Sequence, residues 1–505
     1  MASYWQTRLE KGRGVVIPEN AMVLSVNEDW PGGAGNGLGT LYAWKKACAL
    51  AATMGTDLPK ILAAKEVSCA MFHTAGKGTR LAPLPGSENN NKPGVKLPVT
   101  VAEGQPVSIL ESVIQQTGIY AASRKGRLSV FWGDQVFIPS VAPEYTPLHH
   151  IDILCTLGPM PSAEAWQEKG LDKYGLIAVG TSGESAQVEK VSHETAQRLL
   201  SSLGEVSSVG ASLGSFSVSA QVVELLNDEF GAELAAKKGK LDTDPGLWMP
   251  LTLDQGAYVE LMGQKGTSAA EASSHWTRMS SLKAKLKGSP LFGAVDVGDK
   301  AYWWDYGQLE LYRSNNLKLI EEGHEAATMR SFFKIQEPAR VSGPCAIGNL
   351  EVTGGSCISS CRIGGGSVAG SLLSRVVAEE VQCEGAILVN VTAKRVIVAP
   401  GCIVYNVTST DPEGLILKEP GSVLTTALLE VVQGPSKEAA APVDVKEVAM
   451  RSTTTTDGGI FWKEKIQGNE MSFEEVYEAN ASADVGAMEV VAAKLHSGAA
   501  SMLSL

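Results

Sequence analysis

Residues 73–99 read HTAGKGTRLAPLPGSENNNKPGVKLPV, and the fold of the larger, N-terminal part of the chain is read outward from them. The apolar run just before, Glu66–His73 (EVSCAMFH), has the character of a buried strand. Directly after it, Gly76, Gly78, Thr79 and Arg80 fall close together. Glycines at a strand end let backbone N–H groups approach an anion closely, forming a nest for phosphate oxygens. Arg80 can then offer a planar fork to a terminal phosphate. The segment is not a P-loop, which requires GxxxxGK[ST], and it is not a strict GxGxxG. A plain Gly-rich turn bearing surface cations would account for GKG alone but poorly for the complete string.

The flanking sequence repeats the same alternation. Ala21–Val26 (AMVLSV) reads as a strand, followed by the loop NEDWPGGAGNGLG and a helix from Thr40 to Met54. Ser108–Ala122 reads as a helix, and Leu128–Trp132 (LSVFW) as a strand stopped by Gly133 and Asp134. Strand, loop and helix in repetition is the pattern of a parallel α/β sheet with ligand sites at the carboxyl ends of its strands. Within the first loop, Trp30–Leu41 (WPGGAGNGLGTL) places Gly35, Gly37, Gly39 and Thr40 directly before a helix, which favours a ligand loop over a linker.

After residue 335 the texture changes. Val341, Ile347, Val352, Ile358, Ile363 and Val368 recur at a spacing of five or six, with Gly, Ser and Cys between them. Ile387, Ile397 and Ile403 continue the rhythm after an apparent insertion at Ser371–Glu384. Neither a 3.6 nor a 2 period fits, whereas one inward residue per short flat side suits a β-helix, with a β-sandwich as the alternative. Beyond Pro435 the chain is rich in Ala, Ser and Thr, including Thr453–Thr456, and Ser472–Ala479 and Ala487–His496 read as helices. The expected organisation is residues 1–332 as a catalytic domain, 335–435 as a β-helix, and 436–505 as a helical tail or cap that covers the solenoid or reaches another subunit.

Composition excludes several classes. The chain has 505 residues, 44% hydrophobic and 19% charged, which is globular rather than disordered. A net charge of −12 argues against non-specific nucleic-acid binding. No apolar run is long enough to span a bilayer and the N-terminal residues lack a signal-peptide pattern, so a cytoplasmic protein without membrane partners is expected. The eight cysteines include Cys357 and Cys361 without CxxC or paired histidines, so small buried thiols are expected rather than a metal clip or disulfide scaffold.

The string AGKGTRL, followed by KP and LPV, resembles the signature of the sugar-1-phosphate nucleotidyltransferases, or NDP-sugar pyrophosphorylases. That pattern reads GGxGTRL, a short gap, then PKP and a hydrophobic run. Here Lys77 stands where the family varies, and GSENNN lengthens the gap. Lys92 and Lys96 therefore compete for the signature lysine, with Lys92 favoured by its spacing to LPV. The Gly-rich loop Trp30–Leu41 and His73 at the strand end are similar to the fucose-1-phosphate guanylyltransferase branch, which also carries a C-terminal β-helix. The resemblance implies a Rossmann-like, GT-A-like nucleotidyltransferase domain followed by a β-helix. It further implies nucleotide contacts from Gly35, Gly37, Gly39, Thr40, Gly76, Gly78 and Thr79, with Arg80 and Lys92 in catalysis.

The implied reaction is attack of a sugar 1-phosphate on the α-phosphorus of an NTP, UTP or GTP, releasing pyrophosphate with the help of Mg²⁺. Asp134, after LSVFW, resembles the family's metal-binding aspartate. Ala301–Tyr312 (AYWWDYGQLELY), followed by Asn315 and Asn316, looks like the family's WxDIGTxxDxxxAN element and would place Asp305 on the metal. Val188-Glu189-Lys190 resembles VEKP, with Val191 in place of Pro, and implies that Lys190 meets the sugar phosphate. Ser212–Phe216 (SLGSF) resembles NxGxY, a loop against the sugar, bringing in Ser212 and Gly214. Two other classes remain beside this reading. One is an inactive regulatory or scaffold subunit of the same fold, and the other is a β-helix acyltransferase, disfavoured because no histidine occurs between His324 and His496. A homo-oligomer assembled through the β-helix is the expected partner state.

Overall fold

The run CAMFH forms the strand Cys69–His73, which pairs in parallel with Arg127–Trp132 and sets His73 opposite Trp132. These and all later observations come from a computed structural model, which describes residues 1–100, 104–168, 170–200, 203–431 and 444–505. The two strands join a seven-stranded sheet whose centre is the long strand Val206–Ser219. That strand runs antiparallel to Arg127–Trp132, to Ile151–Gly158 and to Gly175–Gly180. Phe292–Asp296 adds in parallel to Ile151–Gly158, and Ser185–Glu189 closes a hairpin on Gly175–Gly180. The fold is therefore α/β and Rossmann-like, but the sheet is mixed rather than wholly parallel. Helices Gly35–Thr53, Ala220–Glu229 and Ala269–Lys283 bury Leu38, Trp44, Val222, Leu226, Met279 and Leu282 in one core with Val130, Ile153 and Phe216 of the sheet.

Two local expectations are corrected. Ala21–Val26 has no regular structure, because its backbone partner is a side chain: Gln6 Nε2 donates to Val23 O and Gln6 Oε1 accepts from Ser25 N, both at 2.9 Å. The helix expected from Thr40 begins at Gly35, so it absorbs most of the glycines of the preceding loop.

Residues 341–430 form a β-solenoid. Val341, Ile358, Leu373, Leu388, Val404 and Leu424 stack in parallel register, one per coil. The steps between them are nearly equal until the last, which is longer. Ile358, Ile363 and Val368 point inward as their spacing implies. Ile387 and Ile403 are buried on the opposite face, toward the sheet domain, Ile397 is half-buried between the inward Val396 and Val398, and Ile347 and Val352 lie exposed on the outermost coil. The apparent insertion at Ser371–Glu384 is itself a coil. Its strand, Leu372–Glu384, turns Leu373, Val376, Ala378, Val381 and Cys383 into the core in place of the missing isoleucines. The cysteines are free thiols, and Cys357, Cys361, Cys383 and Cys402 are buried. Val445–Thr453 ends the stack by pairing antiparallel to Ser422–Glu430, which covers an edge that would otherwise invite pairing with another chain. The expected boundary at Pro435 lies outside the described residues. The helix Val485–Ser501 lies along the coils, where Arg362 donates to Ala500 O at 3.1 Å and His496 meets Thr392 and Thr408.

Solenoid and sheet domain share one core. Leu81, Leu84, Val95 and Leu97 from the segment after the glycine loop cluster with Leu372, Ile387, Ile403, Tyr405 and Val423 of the coils. Within this apolar contact Tyr405 donates to the Glu88 carboxylate and accepts from Lys96 N at 2.7 Å, while the Lys96 ammonium pairs with the same carboxylate. Asn406 Nδ2 donates to Glu88 Oε1 at 2.7 Å.

Each of those leucines and valines contributes about 1.5–3 kcal/mol when buried. Exposing four of them would remove most of a stability of about 5–15 kcal/mol. A chain ended after residue 332 is therefore expected to be insoluble or molten, as judged by near-UV circular dichroism and amide exchange. Tyr405→Phe, which leaves Glu88 and Lys96 N short of a partner, should cost about 1–3 kcal/mol in denaturant unfolding. A stable, well-ordered 1–332 fragment would show that the shared core is dispensable.

Candidate active site

The strand ends bring four sequence-distant segments together. Tyr302–Asp305 pairs antiparallel with Gln135–Ile138, so Asp305 stands opposite Gln135 and beside Asp134. Tyr306 N donates to Asp134 O at 2.9 Å, and Asn315 Nδ2 to Asp305 O at 2.8 Å, fixing both turns. A β-carbon placed on Gly307 would sit 3.0 Å from Asp305 Oδ1 and 3.1 Å from Asp134 Oδ2, so the two carboxylates converge over this glycine. Trp304 and Tyr306, both fully buried, wedge the hairpin against the core. Burial first, and then the charge of Asp134, raises the Asp305 carboxyl, while Lys92 and Arg80 pull it down.

Lys92 is the cation in direct contact with Asp134. Its ammonium pairs with Asp134, and its alkyl stem runs over Gly78, where a β-carbon would lie 3.1–3.2 Å from Lys92 Cβ, Cγ and Cδ. Gly78 has a φ of 68°, so both its left-handed conformation and the lysine above it require glycine. Lys96, its competitor, is sequestered on Glu88 at the solenoid junction. The Gly76 loop is exposed, and the N–H groups of Gly76, Lys77 and Gly78 donate to no acceptor among the described residues. Arg80 projects from the short 3₁₀ turn Thr79–Leu81 as an exposed side chain that the Asp305 carboxyl senses electrostatically.

The other expected residues fall differently. A β-carbon on Gly35 would lie 2.5 Å from Leu241 O, and one on Gly37 2.9 Å from it. Gly37 N already donates to Leu241 O at 2.8 Å. These two glycines thus admit the Leu241–Asp242 backbone, which accounts for glycine at both positions without a ligand. Gly39 faces His73, and Thr40 is occupied: its hydroxyl donates to Asn36 O at 2.7 Å and so accepts from His73 Nε2 at 2.8 Å.

Ser212 and Gly214 lie in a bulge of the central strand rather than in a loop, since its register against Ile153 and Cys155 skips there. Gly214, with a φ of 73°, lies directly under the Trp132 indole, and Trp132 faces the His73 ring at 5.3 Å. Lys190 is bound to Glu189 at 3.0 Å and touches neither Asp134 nor Asp305 among the described contacts. Its N–H donates to Tyr174 O at 3.0 Å, and the Tyr174 ring lies 6.4 Å from that of Trp303, which precedes Asp305 on the same strand.

Sequence reading missed Gly175, Gln187 and Asp244, which gather beside Ser212. A β-carbon on Gly175 would be 3.2 Å from Asp244 Oδ2, 3.4 Å from Gln187 Nε2 and 3.6 Å from Ser212 Cβ. Burial and the nearby Glu189 push the Asp244 carboxyl up to about 6. No local signal marks Asp244, because its neighbours come from other strands.

Among the described residues no group of three or more His, Cys, Asp or Glu side chains could hold a metal. The Asp134 and Asp305 pair has the chemistry that would suit Mg²⁺, a hard cation that takes one or two carboxylates and completes its shell with water and substrate phosphate. Burial and the neighbouring charge of Asp134, which raise Asp305, are what such a cation would offset. No described helix is long and apolar enough to cross a membrane.

Comparison with protein-family models and with the curated proteins returns no match. Among solved structures the chain is similar to a crystal structure assigned to a glucose-1-phosphate thymidylyltransferase from Bacillus anthracis, in complex with a sucrose. The alignment covers 52% of this chain and 99% of that one, at 12% identity and a TM-score of 0.25. So distant a likeness leaves the functional reading to the side chains themselves.

His73, at the strand end before the glycine loop, is a pH probe of this region. Burial pushes its imidazole down to about 4, against about 6.5 in an unfolded chain. Between those values the unfolded chain binds a proton that the folded chain refuses, so this contribution is complete above pH 6.5 and is lost as pH falls toward 4. His73→Gln keeps a donor for Thr40 and cannot titrate. The stability gap between wild type and this variant should therefore narrow as pH drops from about 6.5 to about 4 in urea unfolding. A gap independent of pH would mean that His73 titrates normally.

Proposed function

We propose that the protein transfers a nucleotidyl group from an NTP, UTP or GTP, to a sugar 1-phosphate, giving an NDP-sugar and pyrophosphate with Mg²⁺. One observation carries this reading: the GKGTR loop, Lys92, Asp134 and Asp305, which lie far apart in the sequence, meet around Gly78 and Gly307. A loop presenting amide N–H groups, two cations and two convergent carboxylates suits the meeting of two anionic reactants.

In the reaction a phosphate oxygen of the sugar 1-phosphate attacks the α-phosphorus, the bridging bond to the β-phosphate breaks, and pyrophosphate leaves with that electron pair. The Gly76–Thr79 amides and the Arg80 guanidinium hold the β- and γ-phosphates and stabilise the charge that develops on the leaving group. Lys92 lies between the loop and the carboxylates, where it offsets the charge at the reacting phosphorus. Asp134 and Asp305 would hold Mg²⁺, which when bound neutralises phosphate oxygens and orients them. Lys190, on the neighbouring hairpin, would meet the sugar phosphate, and Ser212 and Gly214 would border the sugar.

Pyrophosphate release, measured for UTP and GTP against hexose and fucose 1-phosphates, tests the reading. At least one pair should turn over, and Asp134→Asn and Asp305→Asn should abolish that turnover without lowering the thermal midpoint, because a neutral amide holds a hard cation poorly. Arg80→Ala should lower kcat/KM more than about a hundredfold, or about 3 kcal/mol, and Arg80→Lys should restore only part of it. Near-normal turnover in both Asp variants would refute the assignment. Absence of turnover with every pair would favour the scaffold reading.

A further inference from the structure

The segment that follows the solenoid returns to the glycine loop. Gly458 is buried against it: a β-carbon there would collide with Thr79 O and lie 2.8 Å from Ala82 Cβ. A β-carbon on Gly459 would lie 3.4 Å from Thr79 Oγ1 and 3.6 Å from Arg80 Cγ. Asp457 Oδ1 accepts from Gly459 N at 2.7 Å, so the DGG turn has its own lock. Neither glycine adopts a positive φ, so each is demanded by the closeness of the loop and not by its own backbone.

The helix Phe473–Ala479 adds a second grip. The Tyr477 ring covers Lys77 Nζ at 5.0 Å, Tyr477 O accepts from Asn90 Nδ2 at 2.7 Å, and Asn480 Nδ2 donates to Gly86 O at 3.1 Å. Phe473 and Val476 bury Ala82 together with Leu429 and Met450 of the last strands. The Thr79–Leu81 turn is a single short turn and cannot set the direction of Arg80 by itself.

We propose that the Asp457–Gly459 turn and the helix Phe473–Ala479 form a clamp that positions the Thr79–Arg80 turn, and so Arg80, for the NTP triphosphate. The inference rests on the reading of that loop as the triphosphate site. It makes residues after the solenoid a positioning part of the active site rather than a cap, though none of them need touch substrate. A misplacement of a catalytic group by about 1 Å can cost about a hundredfold in rate.

The test uses the full chain with UTP or GTP, whichever is turned over, and two variants, Gly458→Ala and Gly458→Val. The added carbons meet main-chain and Ala82 atoms, so the loop must shift. We expect kcat/KM for the NTP to fall about tenfold and about a hundredfold respectively. The KM for the sugar 1-phosphate should hold, the thermal midpoint should barely change, and amide exchange at Thr79–Ala82 should quicken. If Gly458→Val does not fold, Gly458→Ala and the exchange rates decide. A folded Gly458→Ala enzyme with wild-type kcat/KM and wild-type exchange overturns the clamp. So does a loss of activity that only tracks the loss of folded protein. Arg80→Ala, assayed alongside, separates the two layers: wild-type turnover there removes the triphosphate reading, while exchange in Gly458→Ala still decides whether the clamp holds the turn.

Discussion

The buried carboxylate of Glu88 ties the molecule together. It lies in the GSENNN segment and receives hydrogen bonds from Tyr405 and Asn406 of the solenoid and the ammonium of Lys96. A charge taken out of water is tolerable only when every lone pair finds a donor, and removing one partner of such a pair costs about 3–5 kcal/mol. The same few residues receive the rest of the chain. Trp5 of the N-terminal helix donates to Asn91, and Tyr477 and Asn480 of the C-terminal region meet Asn90 and Gly86. Three 3₁₀ turns, Thr79–Leu81, Leu84–Glu88 and Lys92–Gly94, thus carry the glycine loop at one end and the inter-domain junction at the other.

That connection explains why the two lysines of KPGVK differ. They are close in the chain, but the Lys92–Gly94 turn ends between them and the strand Lys96–Thr100 begins. Lys92 is thrown toward Gly78 and Asp134, and Lys96 toward Glu88 in the apolar junction. One pairs with Asp134 at the strand ends and the other holds the junction with the solenoid. The hairpin that brings Asp305 to Asp134 obeys a similar logic: Trp304 and Tyr306 sink into the shared core, and alternation along the strand leaves Asp305 at the rim.

What could be read without a structure was local. The GKGTR string, the strand–Gly–Asp ending at Asp134, the aromatic setting of Asp305 and the apolar rhythm after residue 335 each depend on spacing within about one turn or strand, the range over which sequence pattern carries information. The free, buried cysteines follow from composition in the same way. What misled was also local. Ala21–Val26 has the pattern of a strand but finds the Gln6 side chain instead of a neighbouring strand. Ser212–Phe216 looks like a loop but is a bulge inside the central antiparallel strand.

The sequence by itself determined most element types and the solenoid, because backbone propensity and apolar periodicity act between near neighbours. Only the tertiary structure decided that the central strand runs antiparallel, that Lys92 rather than Lys96 faces Asp134, and that Asp244 joins Ser212 and Gly175. It alone placed Gly458 against Thr79, from the far end of the chain. Such pairings are chosen by which buried surfaces and unsatisfied donors fit one another once the chain has collapsed. No spacing between the two partners records that fit.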